Sequence, residues 1–348
     1  MFEIYAGDKA KKEIEQHGFS QDLFDVFIGA SGGPKWFSLY GWDKYLFGEF
    51  FKGRSTQLDI IGSSAGAFRA ACFTQNDPVA AIERLAHNYA HTRYSDKATA
   101  AEITDKAREL LDIMLGDSGV DEIINNPRYK AHFFVAKTNG VLASEKKPLQ
   151  ALGLAKSYLL NRKDRALLAK QYERYVFSAA GGNLLFDDPV QLTTHTQTLD
   201  ADNLKPSLLA SGSIPLVMQG IRDIPGCPKG MYRDGGIIDY HFDLKLKNKG
   251  LVLYPHFNAT PKAGWFDKSL KRGVSKQSYD NVVLICPSPE FIANLPYGKI
   301  PDRTDFTELD ADTRIAYWQQ VFAETERLAE GLDNFIQRQD IGSIKSFR

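Results

Sequence analysis

The sequence predicts an α/β fold built around a parallel sheet. Three observations carry that expectation. Two short apolar runs, Phe24–Ala30 and Leu58–Gly62, have the length and composition of buried strands. Each runs into a glycine-containing turn and then into residues of helical spacing, giving strand, helix, strand, helix within residues 24–74. The 348-residue chain is 43% hydrophobic, enough for a large core.

Residues 11–17 read as a short polar helix. The Phe24–Ala30 strand enters the turn Gly29-Ala30-Ser31-Gly32-Gly33-Pro34-Lys35. From Trp36 to Phe51, aromatic and apolar residues recur at helical spacing. The Leu58–Gly62 strand ends in Gly62-Ser63-Ser64-Ala65-Gly66, and a helix follows to Thr74. Pro78, suited to a first helical turn, opens a helix to His91. Residues 96–126 read as helical, Tyr129–Thr138 as a strand and 148–172 as a basic helix. Tyr175–Ala179 is a further strand, broken by Gly181-Gly182-Asn183. A threonine-rich strand is expected within 189–200, and a short helix over Leu204–Ser211 stopped by Gly212 and Pro215. Leu251–His256 and Val282–Cys286 are strands. The polar stretch 258–280 and the segment 287–305, with four prolines, read as loops. Ala311–Gln337 is a long amphipathic helix. No repeat, low-complexity tract or linker divides the chain, so a single domain over 1–348 is expected.

Lys plus Arg equals Asp plus Glu at 43 each. A net charge of zero argues against a nucleic-acid partner, while a local basic patch still suits a membrane surface. Cys72, Cys227 and Cys286 are odd in number, far apart and without metal-ligand spacing. That pattern predicts no disulfide framework, no metal site and a reducing compartment. Met1 to Lys9 lack a basic region followed by an apolar core, and no apolar run reaches bilayer-spanning length. A cytoplasmic protein is expected, with peripheral membrane contact as an option.

Gly62-x-Ser64-x-Gly66 between a strand and a helix is the pattern of a nucleophile elbow. Small residues two before and two after the serine let strand and helix pass, and the helix amides lend the site partial positive charge. Acyl transfer needs a nucleophile, a base within hydrogen-bond reach and donors for the developing oxyanion. Gly32 and Gly33 can present successive amides without side-chain obstruction. Asp234, in Tyr232-Arg233-Asp234-Gly235-Gly236-Ile237, lies in a tight turn that can present a carboxylate. The segment Leu209-Ala210-Ser211-Gly212-Ser213-Ile214-Pro215 precedes it.

Together, Ser31-Gly32-Gly33-Pro34-Lys35, Gly62-Ser63-Ser64-Ala65-Gly66 and Asp234-Gly235-Gly236, preceded by 210–215, resemble the patatin-like phospholipase family over about residues 24–240. The resemblance implies a three-layer α/β/α domain with a mostly parallel central sheet, which residues 241–348 complete or cover. It implies a lipid acyl hydrolase without cofactor or catalytic metal, acting on lipid or small ester substrates. Ser64 would be the nucleophile, Asp234 the general base, and Gly32, Gly33 and Ala65 the oxyanion donors. Lys35, Gly62, Gly66, Gly235 and Gly236 would support the motifs. The oxyanion turn departs from the family pattern at Ser31 and Trp36, where glycine is usual. Two other readings remain open: a Ser–Asp–His esterase using His241 or His256, and a non-catalytic lipid-binding or scaffold protein. For membrane contact, two segments are candidates: the basic, leucine-rich residues 145–174, and the aromatics of Gly264-Trp265-Phe266-Asp267-Lys268, read as exposed. The plainer reading of 145–174 is a helix packed on the core with a solvated basic face.

Overall fold

The apolar runs pair into one continuous sheet. The structure, a computed structural model, describes residues 1–347. The strands are β1 (Phe2–Ala6), β2 (Phe24–Gly29), β3 (Leu58–Ser63), β4 (Tyr129–Thr138), β5 (Tyr172–Ser178), β6 (Phe186–Asp187), β7 (Thr194–Thr198), β8 (Ile221–Arg222), β9 (Met231–Asp234), β10 (Lys245–Leu246), β11 (Leu251–Pro255), β12 (Val282–Pro287) and β13 (Lys345–Ser346). Eleven of them form a sheet ordered β13-β1-β12-β11-β2-β3-β4-β5-β7, with β9 on β4 and β8 on β9, while β6 and β10 pair separately.

The central run β12-β11-β2-β3-β4 is parallel. Parallel strands are covered on both faces, so they read as unbroken apolar runs. Every residue of β3, β11 and β12 is buried accordingly. Antiparallel strands flank this run: β1 on β12, and β5 and β9 on β4. The fold is thus α/β with a mostly parallel central sheet and helices around it.

Several elements differ from the sequence expectation. The 96–126 segment splits into helices Ala100–Leu115 and Gly119–Asn125, because Gly116 turns to φ +58° between them. The basic helix ends at Lys163. There Asp164 accepts the Ala166 amide and starts a 3-10 segment, and Tyr172 already opens β5. Residues 33–50 are helical but wound three ways: 3-10 over Gly33–Leu39, α over Tyr40–Tyr45 and π over Leu46–Phe50. Within 287–305, Ser288 caps a short helix, Pro289–Ala293. Trp265 and Phe266 are not exposed aromatics: Phe266 is buried and Trp265 half-buried, in a 3-10 turn fixed by Asp267.

The long helix Ala311–Arg338 covers Tyr40–Tyr45. Gly41 permits the approach, since a Cβ there would lie 2.1 Å from the Thr325 carbonyl oxygen. Trp42 Nε1 donates to the Leu328 carbonyl at 2.8 Å and Tyr45 to Asp333 at 2.8 Å.

Candidate active site

The site forms at the carboxyl ends of β2 and β3, where α/β sheets commonly bind ligands. Three glycines allow it. A Cβ on Gly62 would lie 2.2 Å from the Gly66 carbonyl, one on Gly66 would lie 2.0 Å from the Gly29 carbonyl oxygen, and one on Gly29 would meet Gly66 at 2.6 Å. The turn after β2 and the helix Ala65–Phe73 therefore touch through bare backbone. Ser64 sits at the apex with φ 54° and ψ −131°, a left-handed conformation that costs a non-glycine residue on the order of 1–3 kcal/mol.

Strand β4 sets the distance between Ser64 and its partner. On one edge it pairs first with β3, Ser63 lying opposite Phe134. It then pairs with β9, Asp234 lying opposite Val135. Two consecutive residues of one strand thus hold Ser63 and Asp234. The result is a hydrogen bond from Ser64 Oγ to Asp234 Oδ2 at 2.9 Å, across 170 residues of sequence. Asp234 ends β9, and its turn follows: Oδ1 accepts the Gly236 amide at 2.7 Å. Gly235 must be glycine because a Cβ would lie 2.1 Å from the Phe134 carbonyl oxygen.

The segment before the Asp motif clamps both partners. The Ser211 carbonyl and hydroxyl each accept the Ser64 amide at 3.0 Å, and the Ser213 carbonyl accepts the Asp234 amide at 3.1 Å. Ser211 Oγ donates to Phe134 at 2.7 Å, locking this segment to β4. The Ser31 side chain ties the Gly-rich turn to the elbow. Its Oγ donates to the Ser63 carbonyl at 2.7 Å and lies 2.6 Å from Ser63 Oγ. Ser63 Oγ donates onward to the Asp239 carbonyl at 2.7 Å. Arg174 grips the Asp239 carboxylate with two bonds of 2.6 and 2.8 Å, both partners fully buried.

Gly33 and Ala65 line the cavity that opens beside Ser64. Gly33 takes φ +58° and Gly32 φ +131°, backbone that side chains disfavour. A Cβ on Gly32 would meet the Phe257 ring at 3.0 Å and the Tyr240 hydroxyl at 3.2 Å. Lys35 pairs with Asp302 at 3.1 Å, bracing the chain that carries Arg303. The cavity holds about 960 Å³ and its walls include Trp36, Phe68, Leu110, Val217, Met218 and Phe306. A smaller recess that also opens at Ser64 is lined by residues including Asp234, Gly236, Tyr240, Trp265, Lys268 and Arg303.

Burial pushes the Asp234 carboxyl up, to about 6, against the Ser64 and Gly236 hydrogen bonds and the Arg303 and Lys268 cations, all of which lower it. Arg303 and Lys268 had no signal in the sequence, since both lie in segments read as loop. Lys268 Nζ sits 4.1 Å from the centre of the Tyr240 ring.

His241 and His256 are buried and point to other partners. His241 Nδ1 accepts the Lys262 amide at 2.7 Å, and His256 Nδ1 lies 2.6 Å from the Asn258 carbonyl oxygen and 2.9 Å from the Asn258 amide. Burial holds His241 well below the usual imidazole range and His256 near 3, so both stay neutral. Ser64 Oγ is hydrogen-bonded to a carboxylate and to neither histidine. Among the described residues, no group of three His, Cys, Asp or Glu is placed to hold a metal ion. No family model matches the chain, and no curated protein matches it.

Proposed function

We propose that the protein is a serine acyl hydrolase of patatin-like, three-layer architecture that cleaves fatty-acyl esters through a Ser64–Asp234 dyad. The 2.9 Å bond from Ser64 Oγ to Asp234 carries this reading. A serine hydroxyl becomes a nucleophile only beside a base, and here the base is a carboxylate whose other oxygen is held by Gly236. Burial raises Asp234 to about 6, nearer the range in which a general base works at neutral pH.

Asp234 takes the Ser64 proton as Oγ attacks the ester carbonyl. The tetrahedral oxyanion forms beside the Gly32, Gly33 and Ala65 amides, each such donor being worth on the order of 3 kcal/mol. Asp234 returns the proton to the departing alcohol, leaving an acyl-serine. A water then gives a proton to Asp234 and attacks the acyl carbonyl; Asp234 passes that proton to Ser64 Oγ as the acyl–serine bond breaks and the fatty acid leaves. The cavity, with apolar walls at Trp36, Phe68, Leu110, Val217, Met218 and Phe306, suits an acyl chain, and at about 960 Å³ it falls within the size range of small-molecule sites.

The test is labelling by a fluorophosphonate probe, together with hydrolysis of p-nitrophenyl esters and phospholipids. Labelling that vanishes in Ser64→Ala supports the proposal. A folded wild-type protein that takes no label, or Ser64→Ala protein that still hydrolyses esters, would falsify it.

A further inference from the structure

The helix Lys147–Lys163 is packed inside out. Its buried positions are Gln150, Gly153, Leu154, Ser157 and Asn161. Three of these are polar and spent on hydrogen bonds to the protein. Gln150 Oε1 accepts the Leu216 amide at 2.9 Å, Ser157 Oγ contacts the Tyr172 hydroxyl at 2.9 Å, and Asn161 Nδ2 donates to Asp267 at 2.8 Å. The outward face carries leucines. Leu152 and Leu159 are 61% and 64% exposed, and at seven residues apart they stand on one line of the helix, opposite the buried face. A helix resting on a soluble core turns its leucines inward; here only Leu154 is buried, while Leu152 and Leu159 face out.

The charges on the helix itself have one sign, between Glu145 before it and Asp164 after it. From Lys146 to Lys163 there are five basic residues, Lys146, Lys147, Lys156, Arg162 and Lys163, and no acidic one. All five are exposed, and none forms an ion pair among the described residues. The helix is also connected to a segment that walls the cavity. Through Gln150 and through Glu145, which accepts the Gly220 amide at 3.0 Å, it is tied to the 214–220 segment. Within that segment Val217 lines the cavity wall, and Leu216 and Val217 are each 37% exposed.

We infer that this helix docks the protein on an anionic lipid surface, with Leu152 and Leu159 entering the acyl region and the basic residues meeting the headgroups. Exposed leucines flanked by unpaired cations match an interfacial helix. A second copy of the chain fits badly, because the same five cations would face five cations. Docking here would bring the 214–220 lip of the cavity to the membrane.

The experiment is vesicle sedimentation of Ser64→Ala protein, so that binding is read without turnover and stands apart from the catalytic reading, whose own test is Ser64-dependent hydrolysis of a soluble ester. Vesicles of phosphatidylcholine are compared with vesicles that also contain phosphatidylserine. Binding is expected only to the anionic vesicles. Adding Leu152→Gln and Leu159→Gln should lower the partition coefficient by about tenfold or more, as loss of two buried leucines requires. Lys156→Glu with Lys163→Glu should lower it similarly. All four positions are exposed, and unchanged circular dichroism and wild-type soluble-ester turnover in the same background with Ser64 restored establish that the fold is intact. The inference is overturned by no sedimentation with either vesicle, by equal binding to both, by leucine variants that bind as well as the parent, or by a dimer in sedimentation velocity that the leucine variants abolish.

Discussion

Asp234→Asn should stop the chemistry and stabilise the fold, and the second effect has a pH signature. In the folded protein burial holds the carboxyl near 6, against 3.8 as its ordinary value. The native state therefore binds this proton more tightly than the unfolded chain does. Its contribution favours folding below about pH 4 and is lost as pH rises through 6, where the folded protein must carry a buried charge. The gap between the two values corresponds to about 3 kcal/mol of folding free energy forfeited above pH 6. An amide of the same shape carries no charge, still accepts from Gly236 and still faces Ser64 Oγ. The variant should thus match the wild type near pH 4 and exceed it by about 1–3 kcal/mol at pH 8, with the difference growing between those limits. Parallel urea or thermal unfolding at several pH values reads this directly. Its turnover should fall by a factor of a hundred to about ten thousand, the usual loss for a general base. In the wild type, kcat/KM should rise with pH along a limb centred near 6, with about a tenth of plateau activity left at pH 5. A stability difference independent of pH, a less stable variant at pH 8, or near-normal turnover would each refute the reasoning.

Ser64→Ala should lower ester turnover by more than about a thousandfold and abolish probe labelling, read by gel fluorescence and steady-state kinetics. Gly66→Ala would place a Cβ 2.0 Å from the Gly29 carbonyl oxygen, so a loss of more than about 3 kcal/mol, or no soluble protein, is expected in denaturant titration. Arg303→Met removes a cation that lowers Asp234, so the acid limb of kcat/KM should move to higher pH, while Arg303→Lys keeps it near its original place; a limb that stays put in Arg303→Met counts against that electrostatic role. Ser211→Ala leaves the Ser64 amide its carbonyl partner but strips the link to Phe134, and should cost about 1–2 kcal/mol in unfolding free energy.

What the sequence by itself determined is local and steric. Gly62, Ser64 and Gly66 announce a strand-to-helix turn because no larger residue fits the crossing, and the short range of that clash makes it readable in five letters. The apolar runs of β11 and β12 are legible because strands buried on both faces leave few polar positions, and β3 reads the same way apart from the buried Asp59 and Ser63. The turn at Asp234-Gly235-Gly236 is local too, whereas β9, which precedes it, and β1 carried no such mark. Each is defined by its pairing with a strand remote in sequence, β9 with β4 and β1 with β12. Only the tertiary structure decided that one edge of β4 would seat Ser63 and Asp234 on adjacent residues, and that Ser211 and Ser213 would clamp Ser64 and Asp234. It alone brought Arg303 and Lys268, from segments without periodicity, to the carboxylate. The helix Lys147–Lys163 shows the same division. Periodicity tells which side chains share a face, but which face is covered depends on the polar partners waiting in the fold, and here Leu216, Tyr172 and Asp267 drew the polar side inward and left Leu152 and Leu159 outside.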